Sequence, residues 1–180
     1  MSKSKSKILF QLSGSIAAYK ACHVISRLVQ DGHEVQTVAT QSALQFVGPA
    51  TLEGLTGKPV FTDLYETDKM MDHIYLSKWA DLAIICPASA NTINSLAAGL
   101  ASDPIGALFL SYDLKKPYLI APAMNQQMFK HPATQAALAK LETYGVKILP
   151  TDEGHQACGD QGPGRLLDPE EVLKTVRGYL

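Results

Sequence analysis

Strand-like apolar runs that alternate with helical patterns constrain this chain more than any other feature. "KILFQL" (7–12), "EVQTVAT" (34–40), "DLAIICPAS" (81–89), "KPYLIAPAM" (116–124) and "VKILP" (146–150) are short, rich in Ile, Leu, Val and Ala, and flanked by Gly, Pro or polar residues. Between the first two, Ala17, Ala21, Val24, Ile25, Leu28 and Val29 recur at helical spacing, and "DGH" ends the pattern. Lys20, His23, Arg27 and Gln30 fall on the opposite face, which makes His23 a solvated surface histidine. "PATLEGLTG" predicts a short helix, and further helices are expected over about 91–100 and about 104–112. "PATQAALAKLETYG" is a helix closed by Gly145. "DPEEVLKTV" opens with an Asp cap, Pro at the first helical position and two early glutamates. Strands of this kind alternating with helices form a parallel sheet covered on both faces.

In such a sheet ligands sit beyond the carboxyl ends of the strands. The polar stretches "SGS", "TQSA", "PASANT", "APAMNQ" and "HQACGDQGPGRLLDP" (155–169), the first and last of them glycine-bearing, all follow strands, so one shared rim and a single site are expected. "LSGSIAAYK" offers a helix N-terminus as a phosphate seat, without the GxGxxG of a dinucleotide fingerprint or the GK[ST] of a P-loop. In "CPASANT" (86–92), Ser89, Asn91 and Thr92 lie beside small alanines, where a flat ring could approach the backbone; Ser89 or Asn91 would equally serve as a helix cap. Asn125 stands between two methionines, able to bind a carboxylate through its NH₂ or to cap the next helix. Met124 and Met128 have the flexible apolar character of packing groups.

Composition excludes several classes. With 180 residues, 46% hydrophobic and 18% charged, the chain supports one folded domain, residues 1–180, with residues 1–6 as a frayed, disordered tail. A net charge of −1 gives no case for nucleic acid, and "SKSKSK" (2–7) is short and terminal. Gln11, Ser13 and Gly14 interrupt the only signal-like run, and no window suits a membrane span. Cys22, Cys86 and Cys158 contain no CxxC pair, and no histidine pair has metal-ligand spacing; neither a disulfide framework nor a metal site is expected, and a reducing cytoplasm fits.

Taken in order, these segments resemble the flavin-dependent, homo-oligomeric cysteine decarboxylases, from "SGSIAAYK" to "ACGDQGPGRL". The family's PASANT motif stands whole at 87–92, its PxMNxxMW motif appears as "PAMNQQMF" (122–129) with Phe129 for the final aromatic, and its clamp ACGxxGxGR matches at 157–165. The resemblance implies a three-layer α/β/α fold of Rossmann-like or flavodoxin-like type and FMN as cofactor. It implies FMN held by Gly14, Ser15 and Ile16 at the phosphate, Ser42 near it, and Ser89, Ala90, Asn91 and Thr92 at the ring or ribityl chain. It further implies His73 as acid or base, Asn125 as carboxylate binder and Cys158 as proton donor. Met124, Ala157, Gly159, Gly164 and Arg165 would join Asn125 in contacting substrate.

The cysteine-bearing clamp points to 4′-phosphopantothenoylcysteine, converted to 4′-phosphopantetheine in coenzyme A biosynthesis, rather than to the peptide C-terminus that lantibiotic peptidyl-cysteine decarboxylases process. A non-catalytic flavin-binding regulator is the remaining alternative; the presence of His73, Asn125 and Cys158 together argues against it. The family assembles as trimers, or dodecamers of trimers, in which His73 would serve a neighbour's site. The chain ends at Leu180, so a separate phosphopantothenate–cysteine ligase is expected. The chemistry accounts for these groups. Oxidising CH₂–SH to a thioaldehyde places C=S β to the carboxylate, so that loss of CO₂ gives an enethiol. A flavin takes and returns the hydride, and a thiol of pKa about 8.5 is a suitable donor for the final proton.

Overall fold

A computed structural model describes residues 5–155 and 159–180. Five parallel strands form its sheet: β1 (Lys7–Leu12), β2 (Glu34–Ala39), β3 (Leu82–Ala88), β4 (Tyr118–Pro122) and β5 (Lys147–Ile148), in the order β2-β1-β3-β4-β5. Side chains alternate across each strand, and both faces are covered. Ile8, Phe10 and Leu12 join Ile84 and Leu119 on one side; Leu9, Ala83, Ile85 and Ile120 pack on the other. This burial on both faces is why the strands read as continuous apolar runs. Gln11, fully buried in β1, is half satisfied: its Nε2 donates to the Tyr118 hydroxyl at 2.9 Å, while its Oε1 has no hydrogen-bond partner among the described residues.

Helices α1 (Ala18–Gln30), α2 (Pro49–Thr56) and α8 (Pro169–Arg177) cover the first face. The second is covered by α4 (Ala90–Ala97), α5 (Pro104–Ser111) and α7 (Pro132–Thr143), with α3 (Asp72–Trp79) packed on α5. Short α6 (Gln126–Lys130) follows β4. The expected three-layer α/β/α architecture is what forms, in the flavodoxin-like strand order, and the order reverses between β1 and β3. Among the described residues no helix is long and apolar enough to cross a membrane.

Three details differ from the sequence reading. The run at 146–150 contributes only two paired residues as β5. The segment 72–79, to which no helix was assigned, is α3. The stretch after β5 forms an antiparallel pair, β6 (Asp152–His155) with β7 (Gln161–Arg165), rather than an irregular loop. Its glycines hid the alternation that marks a strand, and Gly164 is needed where it stands. Its φ is +113°, and a Cβ there would lie 2.7 Å from the Met124 carbonyl oxygen. Of the expected tail, Lys5 pairs with Glu34 at 3.1 Å and the Ser6 N–H donates to His33 Nδ1.

Candidate functional site

The turn after β1 and the turn after β3 are joined through Ser13, by its N–H to the Pro87 carbonyl at 3.2 Å and by its buried hydroxyl. Ser13 Oγ donates to the Pro87 carbonyl at 2.9 Å and accepts from the Ser89 N–H at 2.8 Å. This fixes the two loops at the point where strand order reverses, the expected position for a ligand crevice. Beside it, a Cβ on Gly14 would lie 2.6 Å from the Ser42 Cβ, so only glycine lets the β1 and β2 loops approach this closely. The N–H groups of Gly14, Ser15 and Ile16 donate to no group among the described residues, while Ser15 closes the turn by accepting from Ala18 N and Ala17 N. Free N–H groups at the start of a helix suit an anion.

A cavity of about 410 Å³ opens beyond these loops. Gly14, Ser15, Ser89, Ala90 and Ala123 give it small walls, and Ile16, Met124 and Met128 give it apolar ones. Lys20 from α1 and Arg165 from β7 supply the cationic groups among the lining side chains. Backbone surfaces bearing little side chain accept a flat ring, and the volume is that of a cofactor or small-ligand site.

At the β4 exit, Asn125 caps α6. Its Oδ1 accepts from Gln127 N at 2.8 Å, which fixes the amide so that Nδ2 is the end left to donate; Nδ2 meets Asp160 Oδ2 at 2.7 Å. The β6–β7 pair is held to this corner, since Met124 N donates to the Gly164 carbonyl at 2.8 Å. Arg165 Nη1 reaches the Glu153 carbonyl across the pair.

The expected site residues divide into three groups. Gly14, Ser15, Ile16, Ser89, Ala90, Met124, Asn125, Gly164 and Arg165 line the one cavity. Ser42 adjoins Gly14 but faces a second, more polar hollow with Thr40 and Asp103. Asn91 is exposed on α4, and Thr92 is buried with its hydroxyl 3.2 Å from Ser89 Oγ; neither lines the cavity. Ser89 is itself the α4 cap, accepting from Thr92 N. His73, in the first turn of α3, is likewise outside the lining, and its buried Nδ1 has no hydrogen-bond partner among the described residues. Gly159 is exposed, and Ala157 and Cys158 lie outside the described residues. Cys86, directly beneath Pro87, is fully buried, and burial pushes its thiol up to about 12, which removes it from acid–base work. No metal-holding cluster occurs among the described residues.

Sequence reasoning missed Ser13, Lys20, Tyr19, Ala123 and Leu166. Lys20 and Tyr19 sit in the first turn of α1 and line the same cavity as Gly14, Ser15 and Ile16, and the motif "SGSIAAYK" already contained them. Ser13 was visible as the first serine of "SGS", but its reach to Pro87 required the β1–β3 adjacency.

A family model described as Flavoprotein matches residues 1–180. The chain belongs to the flavoprotein family. The small-walled cavity and the open N–H groups at the α1 start fit the flavin this membership brings. The chain is 39% identical over 176 residues to the probable phosphopantothenoylcysteine decarboxylase of Streptococcus mutans, covering 97% of this chain and 98% of that one. It also matches the bifunctional coenzyme A biosynthesis protein of Vibrio vulnificus at 43% identity, and spans 43% of that longer protein's length. Among solved structures, a cysteine-to-serine mutant of PPC decarboxylase complexed with pantothenoylaminoethenethiol superposes with a TM-score of 0.87 at 30% identity over 98% of both chains. The FMN-binding protein AtHal3 superposes at 0.84 with 32% identity, over 98% of this chain and 97% of that one.

Proposed function

We propose that this flavoprotein binds FMN and decarboxylates 4′-phosphopantothenoylcysteine to 4′-phosphopantetheine. The observation that carries the reading is Asn125: its amide is locked by Gln127 N, and its Nδ2 already holds a carboxylate beside the cavity. A mononucleotide is supported by the single helix-start anion seat and the missing dinucleotide fingerprint.

The flavin supplies a hydride acceptor and donor, so that the substrate's CH₂–SH carbon is oxidised before CO₂ leaves and reduced afterwards. The chain's own groups do the rest. Gly14, Ser15 and Ile16 hold the cofactor phosphate, with Ser42 behind Gly14; Ser89 and Ala90 form the wall against the ring, with Asn91 and Thr92 following them on α4 and Thr92 supporting Ser89 through its hydroxyl. Asn125 orients the substrate carboxylate, while Met124, Gly164 and Arg165 bound the substrate. His73 acts as acid or base, a role its unpartnered Nδ1 supports. Cys158, with Ala157 and Gly159 beside it, delivers the proton to the former α-carbon, since a mostly protonated thiol is a competent donor near neutral pH.

The enzyme works as a homotrimer or a dodecamer of trimers, with His73 completing a neighbour's site. Exposed Tyr65, Met70, Met71, Tyr75 and Leu110, on or near α3 and α5, support burial of that face. The cytoplasm is the proposed location, and because the substrate is an amide of cysteine, a phosphopantothenate–cysteine ligase must supply it.

Purified holoprotein tests the reading. Flavin absorbance is expected, together with CO₂ release from 4′-phosphopantothenoylcysteine and loss of that release in Asn125→Ala. Activity confined to a peptide with C-terminal cysteine would assign the peptidyl-cysteine function instead.

A further inference from the structure

The segment between β6 and β7 places a carboxylate of the chain's own on the amide of Asn125. Asn125 Nδ2 donates to Asp160 Oδ2 at 2.7 Å, and the bond from Gln127 N to Oδ1 at 2.8 Å determines which end of the amide is presented. Asp160 is exposed and directly precedes β7. The far end of that strand is anchored, because Gly164 accepts from Met124 N and donates to Thr151 Oγ1. Asp160 therefore reaches Asn125 from the start of a strand whose far end is pinned to the same β4 corner. An exposed carboxylate has water as an alternative partner, so this bond is exchangeable.

We propose that Asp160 is a latch on the carboxylate seat: it occupies Asn125 when no substrate is bound, is displaced by the substrate's carboxylate, and returns once CO₂ has left. The proposal rests on the reading of Asn125 as the carboxylate binder. Two carboxylates on one amide would stand within a few ångströms of each other, and like charges at that separation disfavour joint occupancy. A ligand that carries the carboxylate must release the latch, whereas its decarboxylated counterpart leaves it engaged. The same exchange couples the position of the β6–β7 segment to the chemical state of the ligand. It also makes Asp160 a specificity-determining residue that selects against weak carboxylate mimics.

The test compares two probes on FMN-loaded enzyme, followed by the flavin absorbance change. One is 4′-phosphopantothenoylserine, which has the carboxylate but no thiol to oxidise; the other is 4′-phosphopantetheine. Asp160→Ala is expected to tighten the serine compound by about five- to tenfold, the scale of one exposed charge-assisted hydrogen bond, and to move 4′-phosphopantetheine by less than about twofold. Asp160→Asn, which keeps an acceptor and loses the charge, falls between. In an Asn125→Ala background the gain from Asp160→Ala disappears. Unchanged or weaker binding of the serine compound by Asp160→Ala overturns the latch, as does equal tightening of both probes, which would mean relief of crowding. If Asn125→Ala leaves the serine compound as tightly bound as in the unaltered enzyme, the carboxylate seat itself is wrong, and that result is separable from the behaviour of Asp160.

Discussion

Ser13 is a small residue with a large positional consequence. Its hydroxyl both donates to Pro87 and accepts from Ser89, so it ties the loop after β1 to the loop after β3. Ser13→Ala removes both bonds from a site that is 1% exposed and leaves the Ser89 N–H without that acceptor. The expected cost is about 1–3 kcal/mol in urea unfolding, accompanied by weaker flavin retention on gel filtration. A variant of unchanged stability would show that the Ser13 N–H bond to the Pro87 carbonyl, together with packing, is enough to hold the loops. Cys86, two residues before the end of β3 and fully buried, makes the opposite case. Its thiol, raised to about 12 by burial, has almost no thiolate at pH 8. Iodoacetamide should leave Cys86 unlabelled in the folded protein and label it fully in denaturant, as read by peptide mass mapping. Labelling in the folded state would mean that β3 opens locally.

At the scale of elements, α8 shows how a local signal and a tertiary role coincide. Asp168 accepts from Glu170 N at 2.9 Å, Pro169 takes the first helical position, and Arg177 at the far end meets Asp31 after α1 at 2.7 Å. Val172, Leu173 and Val176 are buried under the sheet's first face next to Leu166, which lines the cavity. Asp168→Ala should lower stability by about 1 kcal/mol in thermal unfolding with flavin content retained, and Asp168→Asn should restore it. Helix α8 was legible in advance because "DPEEV" states its own cap. The β6–β7 pair was not, because glycines at 154, 162 and 164 replace the alternating apolar pattern that announces a strand. Its pairing depends on contacts with Met124 and Gln126 that only the tertiary fold supplies. Helix α3 was missed for a related reason: its first turn mixes Asp72, His73 and Tyr75, and the helix has no clear apolar stripe. The cavity's glycine and serine loops were readable from motif and strand order together, but the separation of Asn91, Thr92 and His73 from the cavity lining was not, since linear proximity to a motif does not set which way a turn faces.

For the whole molecule, the position of His73 is the decisive feature. It lies on α3 among exposed Met70, Met71 and Tyr75, and it lines neither its own subunit's main cavity nor the adjoining polar hollow. If a neighbour supplies it, each active site combines His73 from one chain with Asn125 and Cys158 from the next. Two inactive variants, His73→Asn and Asn125→Ala, should then rescue each other when their subunits are mixed. In randomly assembled trimers from equal amounts, a site is intact only when its His73 comes from the Asn125→Ala chain and its Asn125 from the His73→Asn chain. That condition restores about a quarter of the sites, whereas a site built within one chain restores none. The measurement is CO₂ release from the unfolded, mixed and refolded pair against each variant refolded alone, with flavin content as the control for assembly. Recovery near a quarter would make the oligomer a catalytic requirement rather than a packing outcome, because the α3 face and the cavity would be halves of one site. Complete absence of recovery in flavin-loaded trimers would return His73 to its own chain and leave the exposed apolar face without a catalytic reason to be covered.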